Sequence, residues 1–392
     1  MTSLPLIPAT ARLLVLAVAL LTAGCTNTLN RAIYREKPEK VDEYLRSGAD
    51  VNQADDNRGT PLIYAAQFGD LTLMKKLVDR GAKVDPIDRT GNSALSYLAS
   101  GETYKNDAVA FLLAKGARPN VVNNEGHAPL HLAAMRPCKP ADADRQTELL
   151  KLLVDAGADA EAMPTGQKPL HLAAFAGQPA KALDYLLGVT KDPHALTAHG
   201  YTAFTEAARG DQHDTALYLA GRGFEPQLLP PTPVPATDTT PAIDPVLSIN
   251  ARAYSAYGDY LQGRGDLGGA LANFQTSATN YRVAAESYNR VIAHNSEVLK
   301  LAKDKRRGSW IGAMALTVVG AGVGAATGVG FFVVPKREGG KVLDDYADEL
   351  ERQQTELKVL TEEQTALKAK IQSIESQVKA APPSTTPDAP KT

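Results

Sequence analysis

The chain has 392 residues, and its 42 Lys and Arg against 44 Asp and Glu leave a formal net charge of −2. That balance gives no electrostatic footprint for a polyanion and excludes nucleic acid as an expected partner. Two cysteines without paired spacing exclude a disulfide framework or a zinc ribbon, and the length allows two or three domains.

In chain order, the first element is residues 1–24. Arg12 precedes the apolar run LLVLAVALL, followed by TAGC ending at Cys25. A short apolar core, small residues and a closing Cys resemble a bacterial lipoprotein signal, cut so that Cys25 is lipidated as the new N-terminus. An ordinary secretory signal, or a short anchor with an incidental Cys, is the alternative. Thr26 in place of Asp after the Cys favours the outer membrane by similarity to enterobacterial lipoproteins. The expected location is therefore the bacterial cell envelope, with the following domain in the periplasm.

Residues 25–225 carry a repeat. The hexapeptide PLHLAA stands at Pro129 to Ala134 and again at Pro169 to Ala174, with degenerate versions TPLIYAA (Thr60–Ala66), SALSYLA (Ser93–Ala99) and TAFTEAA (Thr202–Ala208). A closing phrase recurs in register: GADVN from Gly48, GAKVD from Gly81, GARPN from Gly116 and GADAE from Gly157. Periods of thirty-odd residues mean stacked units. Pro suits a first helical position, where its missing N–H has no partner to lose. Leu followed by two Ala makes a stripe that lets helices approach closely, and the Gly after the second helix suits the left-handed conformation that ends it.

This pattern resembles ankyrin repeats, whose unit is a turn, two antiparallel helices and a loop. About six units fit. The first, near Leu29 to Asn52, lacks the opening phrase and reads as a cap; the fourth carries the insertion RPCKPADAD; the fifth closes imperfectly around Gly188; the sixth, Thr197 to Phe224, is shortened. The resemblance gives His131 and His171 a structural role in hydrogen bonding between adjacent units. Ala128 and Lys168 replace the Thr usual before the Pro, leaving that link incomplete.

Residues 226–248 are a Pro-rich spacer. Over residues 249–307, Tyr254, Tyr257, Gly258, Leu261, Gly265, Ala270 and Phe274 have the spacing of one tetratricopeptide unit and equally of a generic amphipathic helix pair. From Leu271 a seam continues through Phe274, Ala278, Tyr281, Ala285, Tyr288, Ile292, Asn295, Leu299 and Ala302. A second seam, within 341–380, includes Leu350, Gln353, Leu357, Leu360, Gln364, Leu367, Ile371, Ile374 and Val378. Glu363 with Lys368, and Lys370 with Glu375, would face each other across a parallel pair, which supports a homo-oligomer; the two long helices packing on each other is the alternative. Residues 381–392 read as a disordered tail.

Between the seams, residues 310–334 are uncharged for 25 residues, long enough to cross a bilayer as one helix. Gly320, Gly324 and Gly328 share one face, the pattern of a glycine zipper for membrane helix packing. A buried hairpin in a soluble domain is the competing arrangement. Lys303, Lys305, Arg306 and Arg307 before the segment favour a cytoplasmic N-terminal flank, against export of the first half. A bitopic protein with a cytoplasmic coil is the preferred resolution; tip-first insertion between two long helices, or the absence of a lipid anchor, would also resolve it. The predicted fold class is all-α: an ankyrin solenoid, then coiled-coil helices flanking a glycine-rich transmembrane helix.

No nucleophile elbow, phosphate loop or metal signature is present, so no enzyme, cofactor or metal is expected. Carried over from ankyrin domains, the binding surface is the row of turn tips, Asn57, Arg58, Arg89, Asn92, Asn124, His127, Thr165, Gln167, His199 and Tyr201. The inner helical face adds Gln67, Phe68, Met135, Phe175 and Arg209. Exposed Phe and Arg suit anchors of a protein interface. The expected function is a lipid-anchored envelope protein that binds a partner protein, as adaptor, protective partner or immunity protein. The alternative is a membrane-inserting or pore-like component using residues 310–334.

Overall fold

The computed structural model describes residues 28–230, 244–307, 316–317, 331–332 and 339–380. The chain divides into two compact units, Met1–His199 and Gly200–Thr392. In the first unit, five helix pairs follow in order: α1 (Thr28–Tyr34) with α2 (Pro38–Arg46), α3 (Pro61–Phe68) with α4 (Leu71–Val78), α5 (Ala94–Ser100) with α6 (Asn106–Ala114), α7 (Pro129–Met135) with α8 (Ala143–Asp155), and α9 (Pro169–Phe175) with α10 (Ala180–Val189). The core is the predicted stripe: Leu62, Leu95, Leu130 and Leu170, with Ala66, Ala99, Ala134 and Ala174 beside them, are buried. Gly48, Gly81, Gly116 and Gly157 all adopt φ between 81° and 92°, as their position after the second helix requires. Gly188 does not; it lies inside α10.

The closing phrase also bridges repeats. Asn52 donates to Gly81 O at 3.0 Å while its Oδ1 accepts from Lys83 N at 2.7 Å; Asn120 does the same with Gly157 O at 2.8 Å and Asp159 N at 2.9 Å. Each clasp satisfies a turn that would otherwise leave backbone groups unpaired. On the other side of the stack, buried His131 Nε2 lies 3.0 Å from Ala162 O and buried His171 Nε2 lies 2.9 Å from Ala195 O. In the cap repeat, Asn30 holds the equivalent helical position and donates to Gln53 O and Gly59 O.

Lys168, where a capping Thr is usual, makes no side-chain cap. Its ammonium instead reaches Glu161 at 2.6 Å and Asp192 O at 2.9 Å, joining the turn before α9 to the one after α10. The RPCKPADAD insertion forms a short 3-10 turn, Pro140–Asp142, and is tied back by Gln146 and Gln178 donating to Ala133 O and Ala134 O. Arg136 in this insertion is buried with its guanidinium stacked 3.6 Å from the Tyr104 ring centroid.

The second unit begins with the sixth helix pair, α11 (Ala203–Arg209) and α12 (His213–Ala220), and continues with α13 (Pro245–Gly263), α14 (Leu267–Arg307) and α15 (Gly339–Ala380). Both helices of the pair pack on α13, with Phe204 edge-on to Tyr257 at 6.2 Å. Asn250 on α13 grips the backbone of Leu229 twice, at 3.1 and 3.0 Å. The α13–α14 turn uses Gly265 at φ 81°, and Gly258 lies so close to Phe274 that a Cβ there would sit 2.6 Å from the ring. The helix-pair expectation for residues 249–274 therefore matches this hairpin.

α14 and α15 run antiparallel within one chain. Tyr288 donates to Glu356 at 2.7 Å, Asn295 donates to Gln353 at 3.0 Å, and the Lys370 ammonium lies 5.5 Å from the Phe274 ring centroid. Later residues of α14 thus meet earlier residues of α15. Gln353, Leu360, Leu367 and Ile374 form the buried heptad row of α15. On α14, Phe274, Tyr281 and Leu299 of the expected seam are buried, while Ala284 and Val291 are buried in place of the expected Ala285 and Ile292; α14 also faces α13, where Ser277 donates to Ala251 O.

Two expectations are corrected here. The two long helices pack on each other, the alternative given for the seams, in place of a parallel pair: Lys370 meets Asp259 and Glu363 lies beside Arg252. The single helix expected over 310–334 is also replaced at its described residues. Leu316–Thr317 (β1) and Phe331–Phe332 (β2) pair antiparallel, with Leu316 opposite Phe332. In a helix those two residues would stand roughly 24 Å apart. Thr and Phe favour extended backbone, and Gly-rich sequence disfavours helix by about 1 kcal/mol per residue. The bitopic arrangement needs α14 and α15 on opposite sides of a membrane, which their pairing forbids. Among the described residues no helix is long and apolar enough to cross a membrane. Cys25, Gly320, Gly324, Gly328 and the 381–392 tail lie outside the described residues.

Candidate protein-binding surface

The first helix of each repeat is pinned by its neighbours on one side and leaves its C-terminal half on the other. In α1 and α3 that half carries aromatics. Tyr34 is 65% exposed and Phe68 is 40% exposed. The Tyr34 ring stands edge-on to Tyr64 at 6.0 Å and to Phe68 at 6.3 Å. Three aromatic side chains so arranged, two of them well exposed, form an amphipathic patch of the kind protein partners desolvate. Gln67 lies exposed beside Phe68 on α3.

The Tyr64 ring is oriented from the preceding turn. Asp55 caps that turn by accepting from Asn57 N and Gly59 N, each at 2.9 Å, and its other oxygen accepts from the Tyr64 hydroxyl. Burial first, and then the Asp55 carboxylate, push the Tyr64 phenol well above its ordinary range. The next repeat repeats the device with Asp88 and Tyr97, whose phenol is raised for the same reasons. Neither Tyr34 nor Tyr64 was among the residues expected from the sequence. The available signal was the recurrence of Asp and Tyr nine residues apart in consecutive repeats.

Several of the expected tip residues of the first unit are tied to one another. Arg89 N donates to Asn57 O at 2.8 Å, and its guanidinium donates to Asp56 O at 3.0 Å. Asn124 donates to Arg89 O at 2.8 Å, and Asn123 donates to Asn92 Oδ1 at 3.1 Å. Asn57, Arg89, Asn92 and Asn124 are therefore brought together as a ladder that holds successive tips in line. Arg58 is exposed, with φ at 60°, and projects from its tip. His127 is mostly buried, its Nδ1 3.6 Å from Glu125, and its ring is 6.3 Å from His131. Met135 is 38% exposed, Thr165, Gln167 and Phe175 are half-buried, and His199 is exposed.

In the second unit, Tyr201 packs against Leu229, Val246 and Ile249. Arg209 donates to the fully buried Glu206 at 2.7 Å. Both side chains are engaged in the packing of that unit, in contrast to the exposed role expected of them. Among the described residues no group of His, Cys, Asp or Glu is arranged to hold a metal ion.

Comparison with known proteins agrees with this architecture. The family model for ankyrin repeats (3 copies) matches residues 29–123, 98–196 and 130–228. The chain is 27% identical over 209 residues to ankyrin repeat protein OPG189 of Variola virus, covering 51% of this chain and 35% of that protein. It is 29% identical over 206 residues to transient receptor potential cation channel subfamily A member 1 of Homo sapiens, covering 50% and 18%. It is 32% identical over 152 residues to ankyrin repeat and SOCS box protein 16 of Homo sapiens, covering 38% and 31%. The chain spans about a third or less of the length of these relatives. Ankyrin repeats are protein-interaction modules and are typically non-enzymatic. With just over half of its length matched by the family model, the chain belongs to the ankyrin-repeat family.

Proposed function

We propose that this protein is a non-enzymatic, lipid-anchored adaptor of the bacterial cell envelope, whose ankyrin repeats hold a partner protein in the periplasm. The observation that carries the binding role is the exposed aromatic group Tyr34, Tyr64 and Phe68 at the N-terminal end of the stack. Arg58 at the tip and Gln67 on the helix face add polar contacts around it. The anchor rests on the sequence LLVLAVALLTAGC ending at Cys25, and the preference for the outer membrane on Thr26. Self-association is not required by this reading.

The test is recovery of a co-purifying partner by Tyr34→Ser with Phe68→Ser, compared with the parent chain and with Arg58→Ala. Loss of the partner with unchanged helicity and thermal midpoint is the expected outcome. Full recovery by the double variant would remove the aromatic group from the binding surface. For the anchor, radiolabelled palmitate should enter the parent chain and not Cys25→Ser; equal labelling would contradict lipidation at that residue.

A second reading has its own support. The antiparallel course of α14 and α15 returns the chain to the end from which it left, so residues 310–334 are suited to enter a bilayer as a tip between two long helices. Dye release from liposomes by the full chain, reduced by Gly324→Leu, would favour this membrane-inserting function; intact liposomes would argue against it.

A further inference from the structure

Within the second unit, a cleft of about 230 Å³ opens where the start of α12 faces α13 and α15. Its charged lining is Asp211, His213, Arg252, Asp259, Glu363 and Lys370. One half is closed. The Lys370 ammonium sits 2.8 Å from both oxygens of Asp259, and His213 Nε2 lies 3.3 Å from the same carboxylate. The other half is open. The nearest carboxylates to Arg252 are Asp211 at 3.6 Å and Glu363 at 3.8 Å, both outside hydrogen-bond reach. Oε2 of Glu363 and Nε of Arg252 have no hydrogen-bond partner among the described residues. A guanidinium and two carboxylates are thus held at ion-pair distance without a hydrogen bond between them, and the Tyr281 hydroxyl also bonds Glu363.

Asp211 is the informative residue. It adopts φ 58°, a left-handed conformation that most side chains disfavour and that Asp tolerates better than most. The same place is glycine in two other repeats, Gly69 at φ 64° and Gly177 at φ 68°, and Glu36 at φ 50° in the cap repeat, where Lys37 N–H reaches back to Ala32. The equivalence is fixed by the next residue, whose N–H reaches back five positions in each case: Asp70 to Ala65, Gln178 to Ala173, and Gln212 to Ala207. Glycine would relieve this conformation, as it does at two of the other three turns. Asp211 instead places a carboxylate at the edge of the cleft, and strained side chains of this kind gather at ligand clamps.

We propose that this cleft binds a small zwitterion of the amino-acid class, its carboxylate on Arg252 and its ammonium on Asp211 and Glu363. The volume admits a molecule of that size. Three carboxylates against two permanent cations leave the lining short of positive charge. A basic amino acid is therefore preferred to an acidic one.

The test is calorimetric titration of the full chain with L-lysine, L-glutamate and cadaverine. L-lysine should bind saturably at one site, with L-glutamate and cadaverine each at least tenfold weaker, the first for its extra carboxylate and the second for lacking one. Arg252→Gln and Asp211→Gly should each weaken L-lysine at least tenfold. Asp211→Gly should do so with a thermal midpoint equal to or above the parent's, because glycine relieves the turn. The proposal is overturned by no saturable L-lysine binding, by cadaverine binding as well as L-lysine, by unchanged affinity in Asp211→Gly, or by a lost affinity that tracks a lowered midpoint.

Discussion

The two units are built on different ranges of the chain. In the first, the bonds that join one repeat to the next span 24 to 44 residues, as in His171 to Ala195 and Gln178 to Ala134. Each repeat is completed by its neighbour, so the cost of ordering any link is small and local. In the second, the α14–α15 seam joins residues 58 to 68 apart, and Lys370 reaches Asp259 across 111. That seam forms only once residues far apart in the chain have met, and its stability rests on a few packed layers. A repeat stack should absorb damage locally; the long-range seam should lose it along its whole length.

The largest expected effect is Phe274→Ala. Phe274 is fully buried, with Ala270, Tyr281 and Leu367 in the same core. Its removal should cost about 3–5 kcal/mol, with hydrogen exchange accelerated throughout α13 to α15 and unchanged in α3 to α10. Uniform acceleration in both units would break the contrast. Next is His131→Ala, which should cost about 1–3 kcal/mol by leaving Ala162 O unpaired, with exchange rising chiefly in α7 to α10.

The same histidine gives the stack a pH dependence. Burial holds His131 below its ordinary value, and its bond to Ala162 opposes this only in part. Between that lowered value and about 6.5 the unfolded chain binds the extra proton. Stability should therefore be complete above about pH 6.5 and fall as pH drops below it. His131→Asn should flatten this loss in acid-unfolding curves; an unchanged slope would assign the acid sensitivity elsewhere.

A smaller effect is expected of Lys168→Met. It removes the contacts to Glu161 and Asp192 O, at a cost of about 1–2 kcal/mol, read as earlier fraying of α9 and α10. Glu161 gives a second readout. Burial opposes its ionisation, but Lys168 and the Lys191 N–H outweigh burial and hold the carboxyl below its usual range. Its titration by NMR should move upward in the variant. The smallest effect is a gain: Asn295→Leu with Gln353→Leu should stabilise the seam by about 1 kcal/mol while loosening its register, since polar seam residues favour one alignment over its neighbours. Destabilisation by this pair would show that the bond between them outweighs the apolar gain.

The repeat stack was legible because its signals are local. PLHLAA places Leu and Ala on the buried face, and the closing Gly fixes a left-handed turn, so six helix pairs follow from spacing alone. Asn30 could have been read as the counterpart of His131 by aligning Thr-Leu-Asn with Pro-Leu-His. Lys168 could not, because nothing in the sequence says which carboxylate and carbonyl its long side chain will reach. The direction of the coil was equally hidden. A heptad row such as Gln353, Leu360, Leu367 and Ile374 suits parallel and antiparallel partners alike, and the flanking charges of Glu363 and Lys370 find partners on α13 that no helical period encodes. Of the surface residues, Phe68, Gln67 and Arg58 were accessible to sequence reasoning, whereas Arg209 and Tyr201 were absorbed by contacts within the second unit.

The closure of α14 on α15 within one chain is the contact on which the second unit rests, and one distance tests it. Nitroxide labels at Arg282 and Glu362, in a chain with Cys25→Ser and Cys138→Ser, should give a single short spin–spin distance that persists when labelled chain is diluted into excess unlabelled chain. A short distance that disappears on dilution would place the seam between two copies, and the absence of any short distance would contradict the antiparallel pairing itself.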